Sequence, residues 1–237
     1  MNDINFNFQN KTVLVFGGSR GIGKEVCHQF SLAGATVYNA SRTPVDLPFI
    51  NNIKCDLSSI EDIHDVFSAF EQIDFVINVA GTNLCKPIED ISVCEWDRLM
   101  DVNLKSFFII CKESINLMKK QNHGRIVNVS SIAGRSKSIV SGVHYTSSKY
   151  GIIGLTKQLA NEVSKHNILV NCVCPSQTKT RMLQDSMSKE AMRELEREIP
   201  IRRIAEVSEQ AMPILFLCSS ASSYISGAAI DVNGGLL

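Results

Sequence analysis

The sequence predicts an α/β fold, a doubly wound parallel sheet of about seven strands with helices on both faces. Three observations predict it. Short β-branched apolar runs alternate with longer segments of helical periodicity along the whole chain. The first run, Thr12 to Phe16, empties into a glycine-rich turn that opens a helix. The 237 residues contain no internal repeat, low-complexity tract or linker, and suffice for one large core, so 1–237 is expected to form a single domain.

The elements follow in order. TVLVF (12–16) leads into a helix from about Gly21, then ATVYNA (35–40) and NIKCD (52–56) supply two more strands. Only Arg42 to Ile53 separate those two, and Pro44 and Pro48 oppose a helix, so a loop or single turn is expected there. That thinly covered sheet face suits a ligand or a partner subunit. Helices from Ser59, from Glu95, through Tyr145 and from about Ser208 then precede the strands DFVIN (74–78), RIVNVS (125–130), ILVNCVC (168–174) and AIDVN (229–233). Residues 181–203, rich in Met, Glu and Arg, stand outside this rhythm. They read either as a lid over a site or as a solvated helix pair.

Lys plus Arg and Asp plus Glu number 24 each, so no bulk field favours nucleic acid or an anionic membrane. The opening MNDINFNFQN lacks a basic region followed by an apolar stretch, and no run of about 18 apolar residues occurs, so a cytoplasmic location is expected. Eight cysteines are scattered without a CxxC pair and read as reduced core thiols. Cys172 and Cys174 share a strand face but lack further ligands nearby, so no metal is expected.

The glycine turn has a chemical reading. Gly17, Gly21 and Gly23 sit directly after a strand and at a helix start, where free N–H groups and the helix dipole suit a pyrophosphate. A dinucleotide site announces its preference at the end of the second strand, where a carboxylate takes ribose hydroxyls and a cation takes a 2′-phosphate. Here that strand ends in Ser41 and Arg42, and Arg20 projects from the glycine turn, so two guanidiniums are placed to grip a phosphate. NADP(H) is the expected cofactor.

Tyr145 and Lys149 stand i,i+4 on one helical face, and an ammonium near a phenol favours phenolate, bringing the tyrosine closer to neutral titration. Upstream, RIVNVSSIAG ends a strand in Ser130 and Ser131, at the sheet edge where open α/β folds bind ligands. With these residues the sequence resembles the short-chain dehydrogenase/reductase family, whose fold is of the Rossmann type, and within it most closely the 3-oxoacyl-[acyl carrier protein] reductases. The resemblance covers nearly the whole chain. It rests on the glycine motif, Asp56 in CDLSS, Asn78-Val79-Ala80-Gly81, Asn103 in WDRLMDVNL, Ser131, the Tyr145/Lys149 pair, Asn171 to Ser176, Thr180 and the SSYISGAAIDVNGG tail.

The resemblance implies a ketoreductase in which Tyr145 is general acid, Ser131 orients the carbonyl, Lys149 bonds the nicotinamide ribose and Asn103 holds a water for proton relay. It implies a cofactor seat of Gly17, Ser19, Arg20, Gly21, Ile22, Gly23, Ser41, Arg42, Asp56, Leu57, Asn78, Ala80, Gly81, Tyr145, Lys149, Pro175, Thr178 and Thr180. It also implies a homotetramer, or a homodimer, built through the helices containing Asn103 and Tyr145. Departures are Phe16, Val79, Ser176 and Asn233, none of them at a catalytic position, and a slightly long Ser131 to Tyr145 interval. Ser131 is preferred over Ser130 through the following Ala133-Gly134. Relatives of this type use basic residues near the mouth to dock an acyl carrier protein. Asn122 stands where arginine is common, leaving Lys119, Lys120, Arg125, Lys165 and His166 as the basic candidates. The substrate is therefore either a carrier-bound acyl thioester or a free small ketone or secondary alcohol. A non-catalytic dinucleotide-binding protein is the remote alternative. The mouth is expected near Thr82 to Cys85, Arg135 to His144 and 181–203, with Met182, Leu183 and Met187 as an apolar wall and His144 on the helix surface.

Overall fold

The computed structural model describes residues 5–138, 140–181, 183 and 188–237. Seven strands form one sheet: β1 (Thr12–Phe16), β2 (Thr36–Ser41), β3 (Ile50–Lys54), β4 (Phe75–Asn78), β5 (Gly124–Val129), β6 (Ile168–Pro175) and β7 (Ala229–Val232). Their order is β3-β2-β1-β4-β5-β6-β7, and every pairing is parallel. β4, β5 and β6 are buried along their whole length and β1 nearly so, which is why they read as continuous apolar runs, whereas the edge strands β3 and β7 keep exposed positions. Parallel pairing forces each crossover through a helix or loop on one face of the sheet.

Two apolar cores result from the strand alternation. Leu14, Phe16, Val76, Ile126 and Val170 pack on one face with Ile63 of α2 (Ile60–Ser68), Ile110 of α4 (Ser106–Gln121) and Ala160 of α5 (Val143–Val163). Val13, Val15, Ile77, Val127 and Val173 pack on the other with Val26 of α1 (Gly21–Leu32) and Ile214 of α7 (Val207–Cys218). A small separate cluster joins Leu183, Ile199 and Ile204 to Leu195 of α6 (Lys189–Glu198). All eight cysteines are free thiols, with only Cys85 and Cys94 exposed. No helix among the described residues is long and apolar enough to cross a membrane.

Local chemistry sets the boundaries. Ser59 accepts from the Asp62 N–H at 3.0 Å and caps α2, as an N-cap serine should. The β2–β3 connection is a loop, as its prolines predict, braced by Asn52, whose Oδ1 accepts from Val45 N–H at 2.9 Å and from Asn39 Nδ2 at 2.8 Å. The helix expected from Glu95 begins earlier, because Glu95 is the third residue of a capping box with Ser92 as N-cap. This helix, α3 (Val93–Met100), continues through a π-helical segment, Asp101–Lys105, into α4.

Candidate active site

The strand order reverses between β1 and β4, and such a switch point opens a crevice at the carboxyl ends of the strands. Two loops meet there. Gly17, with φ +95°, follows β1, and a Cβ on it would lie 2.7 Å from Ala80 backbone atoms in the loop after β4. A Cβ on Gly23 would lie 2.1 Å from the Gly17 carbonyl oxygen, so glycine at 23 lets α1 start hard against the turn. The α1 N-cap, Arg20, makes no side-chain capping bond, which leaves the dipole-bearing terminus to other anionic or acceptor groups. An uncapped helix terminus behind a bare-backbone turn fits the pyrophosphate of a dinucleotide.

The remaining predicted seat residues fall around this crevice. Ser19 is half-buried in the turn, and Ile22 is half-buried against the α1 core. Arg20 is exposed, as is Arg42 just beyond β2, where the Ser41 hydroxyl bonds the Thr43 carbonyl. After β3, Asp56 Oδ1 accepts from Ser58 N–H at 3.0 Å and Ser58 Oγ at 2.8 Å, bonds that hold its carboxyl below the usual range with help from the Arg42 charge. Leu57 packs against the core. Thr180 reaches back to α1, its methyl 3.3 Å from where a Gly21 Cβ would stand.

Three further seat residues have buried side chains. The Asn78 side chain is fully buried and donates to Asn128 Oδ1 at 2.8 Å, tying β4 to β5 inside the sheet. Pro175 ends β6 buried, and the buried Thr178 donates its hydroxyl to the Ser176 carbonyl at 2.9 Å. Met182 and Met187 lie outside the described residues; Leu183 is buried in the small cluster rather than lining a mouth.

At the carboxyl end of β5 the two serines separate. Ser130 is buried and donates to the Lys149 carbonyl at 2.7 Å, fastening α5 to the sheet. Ser131 is half-buried; its hydroxyl accepts from the Ala133 N–H at 3.1 Å and lies close enough to Tyr145 to favour the phenolate. Lys149 Nζ lies 5.5 Å from the Tyr145 ring centroid and 5.8 Å from that of Phe107, and donates to the Val129 carbonyl at 3.0 Å. Burial pulls the Lys149 ammonium down to about 8, opposed by the neighbouring Cys172 and Cys174. The expected depression of Tyr145 is not found. Burial pushes its phenol up, and Ser131 only partly offsets this.

Asn103, fully buried in the π-helical segment, uses its amide on backbone. Oδ1 accepts from Thr82 N–H at 2.8 Å, and Nδ2 donates to the Thr82 carbonyl at 2.8 Å and to Ser148 Oγ at 3.4 Å. A Cβ on Gly81 would sit 3.6 Å from both Asn103 Oδ1 and Lys149 Nζ, so these groups and the loop after β4 converge. Spacing reasoning missed Ser148, whose hydroxyl donates to the Tyr145 carbonyl at 2.7 Å. It also misjudged His144, which is fully buried rather than on the helix surface.

The basic residues considered for carrier docking are not at this edge. Asn122, in the left-handed conformation that asparagine tolerates well, closes α4 just before β5 begins, at the opposite end of the sheet from Ser131. Lys119 and Lys120 lie in the last turn of α4, and Lys165 and His166 just before β6, at that same end. Arg125 is buried, with Nη1 donating to the Gly124 and Asn167 carbonyls at 2.9 and 3.3 Å.

Comparison with known proteins agrees with this layout. A family model described as enoyl-(acyl carrier protein) reductase matches residues 17–237. The 3-oxoacyl-[acyl-carrier-protein] reductase FabG of Aquifex aeolicus is 35% identical over 244 residues, spanning 96% of this chain and 98% of that protein. The acetoacetyl-CoA reductase of an Acinetobacter species is 33% identical over 248 residues, with 96% and 98% covered. A crystal structure of a short-chain dehydrogenase from Leptospira borgpetersenii with bound NAD+ superposes with a TM-score of 0.91 at 28% identity, covering 97% of this chain and 94% of that one. A glycine turn at the sheet's switch point, a serine after β5 and a tyrosine and lysine one turn apart on α5 thus accompany whole-length similarity, and the chain belongs to the short-chain dehydrogenase/reductase family of oxidoreductases.

Proposed function

We propose that the protein is an NADPH-dependent ketoreductase that reduces the carbonyl of a 3-oxoacyl thioester, or of a similar small ketone, to a secondary alcohol. The observation that carries this reading is that Ser131, just after β5, neighbours the Tyr145 phenol on α5, with Lys149 Nζ 5.5 Å from the tyrosine ring. Two neighbouring hydroxyls suit one carbonyl oxygen, held by Ser131 and protonated by Tyr145. This favours C=O over the C=C reduction in the family model's description. The raised phenol is protonated at neutral pH, as an acid must be before it acts. Lys149, with its ammonium near 8, is poised to return a proton to the phenolate left behind.

The uncapped α1 terminus and the Gly17 turn hold the pyrophosphate, and Lys149 bonds the ribose next to the reacting ring. A bound nicotinamide supplies the hydride. Exposed Arg20 and Arg42, with a serine rather than a carboxylate at the end of β2, support a 2′-phosphate and hence NADPH. The described residues of 181–203 contribute Leu183, Leu195 and Ile199 to an apolar cluster with Ile204, which suits a lid on a single domain. We place the protein in the cytoplasm as a homotetramer or a homodimer.

A free or coenzyme A-linked ketone is favoured over a carrier docked on the same chain, because the basic candidates sit at the opposite sheet edge. The test is NADPH oxidation followed by absorbance with acetoacetyl-CoA and with the matching acyl-carrier thioester. Turnover lost by about two orders of magnitude in Tyr145→Phe supports the reductase, and no turnover on any carbonyl refutes it. A large preference for the carrier form would restore carrier docking. Arg42→Asp should shift preference toward NADH by roughly tenfold or more, and an unchanged preference would refute the phosphate grip.

A further inference from the structure

We infer that His144 is a positioning residue for Tyr145, holding the first turn of α5 through its imidazole Nδ1. This rests on the reading of Tyr145 as the acid. Helix α5 begins after Gly142, an N-cap with no side chain, so the first N–H groups of the helix need another acceptor. His144 supplies one. Its ring folds back over Gly142, where a Cβ would lie 2.7 Å from Cε1 and 2.9 Å from Nδ1, and Nδ1 accepts the Tyr145 N–H at 3.0 Å. The Tyr145 carbonyl is held in turn by Ser148 Oγ at 2.7 Å, and Ser148 accepts from Asn103. The peptide unit bearing the phenol is therefore gripped at both ends by side chains.

The tautomer follows from the geometry. An Nδ1 that accepts leaves the neutral ring's proton on Nε2, and Nε2 is buried without a hydrogen-bond partner among the described residues. A leucine would fill the same space without an orphaned donor, so packing alone does not account for histidine here. The same ring backs the mouth wall, where Gly142 N–H donates to the Leu84 carbonyl at 3.1 Å and Asn83 Nδ2 donates to the Val140 carbonyl at 2.9 Å. His144 thus links the wall to the backbone of the acid.

The test compares His144→Leu, which removes the acceptor, with His144→Asn, whose Oδ1 stands at the same bond separation from the backbone as Nδ1. With NADPH and acetoacetyl-CoA, His144→Leu should lower kcat by roughly tenfold or more while KM and NADPH affinity stay within about twofold, since misplacing a reacting group is felt mainly in the chemical step. His144→Asn should recover kcat to within about threefold of wild type, because the acceptor is restored. Equal losses in both variants, or no loss in His144→Leu, would overturn the assignment. Hydrogen exchange over residues 140–150 reads the same contact without turnover: faster exchange in His144→Leu and wild-type protection in His144→Asn are expected. A wild type inactive on every carbonyl would refute the reductase reading, and the exchange pattern would still decide whether His144 holds Tyr145.

Discussion

Lys149 carries a charge that its surroundings oppose. Its ammonium is buried with a backbone carbonyl at 3.0 Å, and burial draws it to about 8. A lysine with a native value below its unfolded one, about 10.4, weakens the fold wherever both states are charged, so the penalty is full below pH of about 8. Between about 8 and 10 the native state has released the proton that the unfolded state still holds, and the penalty fades as pH rises. Lys149→Met should therefore melt above wild type at about pH 7, with the gap closing toward about pH 10, while kcat falls by roughly two orders of magnitude. A lower melting point at neutral pH would contradict the assignment of a buried, strained charge. Residue type and spacing made Tyr145, Lys149 and Ser131 legible in the sequence, but not burial. The side chains of Asn78 and Thr178 are buried and bonded inside the fold, and His144 looks like a surface residue and is a buried cap. Which face of an element meets the sheet is decided by tertiary packing, which a motif does not encode.

The π-helical segment Asp101–Lys105 shows the same gap between pattern and geometry one level up. Its sequence reads as uninterrupted helix, yet the extra residue in the turn accompanies an inward-facing Asn103 that clamps the loop after β4 through both polar groups of Thr82. Thr82 itself is exposed, so water can replace the lost bonds in Asn103→Ala, and the loss of stability should stay near 1 kcal/mol, a melting shift of about 2–4 °C. The loop carrying Ala80 and Gly81 would meanwhile lose its tether. NADPH affinity and kcat should fall by roughly tenfold or more, out of proportion to the melting shift. Titration of NADPH by fluorescence beside a thermal melt separates the two effects, and proportional small losses in both would mean that the clamp is only structural. Element identity was otherwise readable from alternating apolar runs, and the errors fell at boundaries set by capping: Glu95 inside a capping box, and β3 starting at Ile50 after Phe49 turns with φ +64°.

At the scale of the whole molecule, parallel strands wound outward in both directions from β1 and β4 set a switch point between those two, and with it the edge on which chemistry-bearing loops gather. Lys119, Lys120 and Arg125, the basic candidates for carrier docking, lie at the opposite end of the sheet, which spacing alone does not reveal. The surface of α4 and α5 points to assembly. Phe108 and Tyr150 are each about half exposed, Val143 is exposed, and the space where a Gly154 side chain would stand is open. Large apolar side chains left in water on adjacent helices favour burial against another copy, and two helices per chain facing a symmetry mate give a self-complementary contact. Introducing charge there should be decisive, because like charges meeting across a two-fold axis must be desolvated together. Phe108→Glu combined with Tyr150→Glu is expected to convert the wild-type oligomer to monomer in light scattering while the far-ultraviolet circular dichroism is kept. A wild type that already runs at the monomer mass, or a double variant that stays associated, would place the interface elsewhere or remove it.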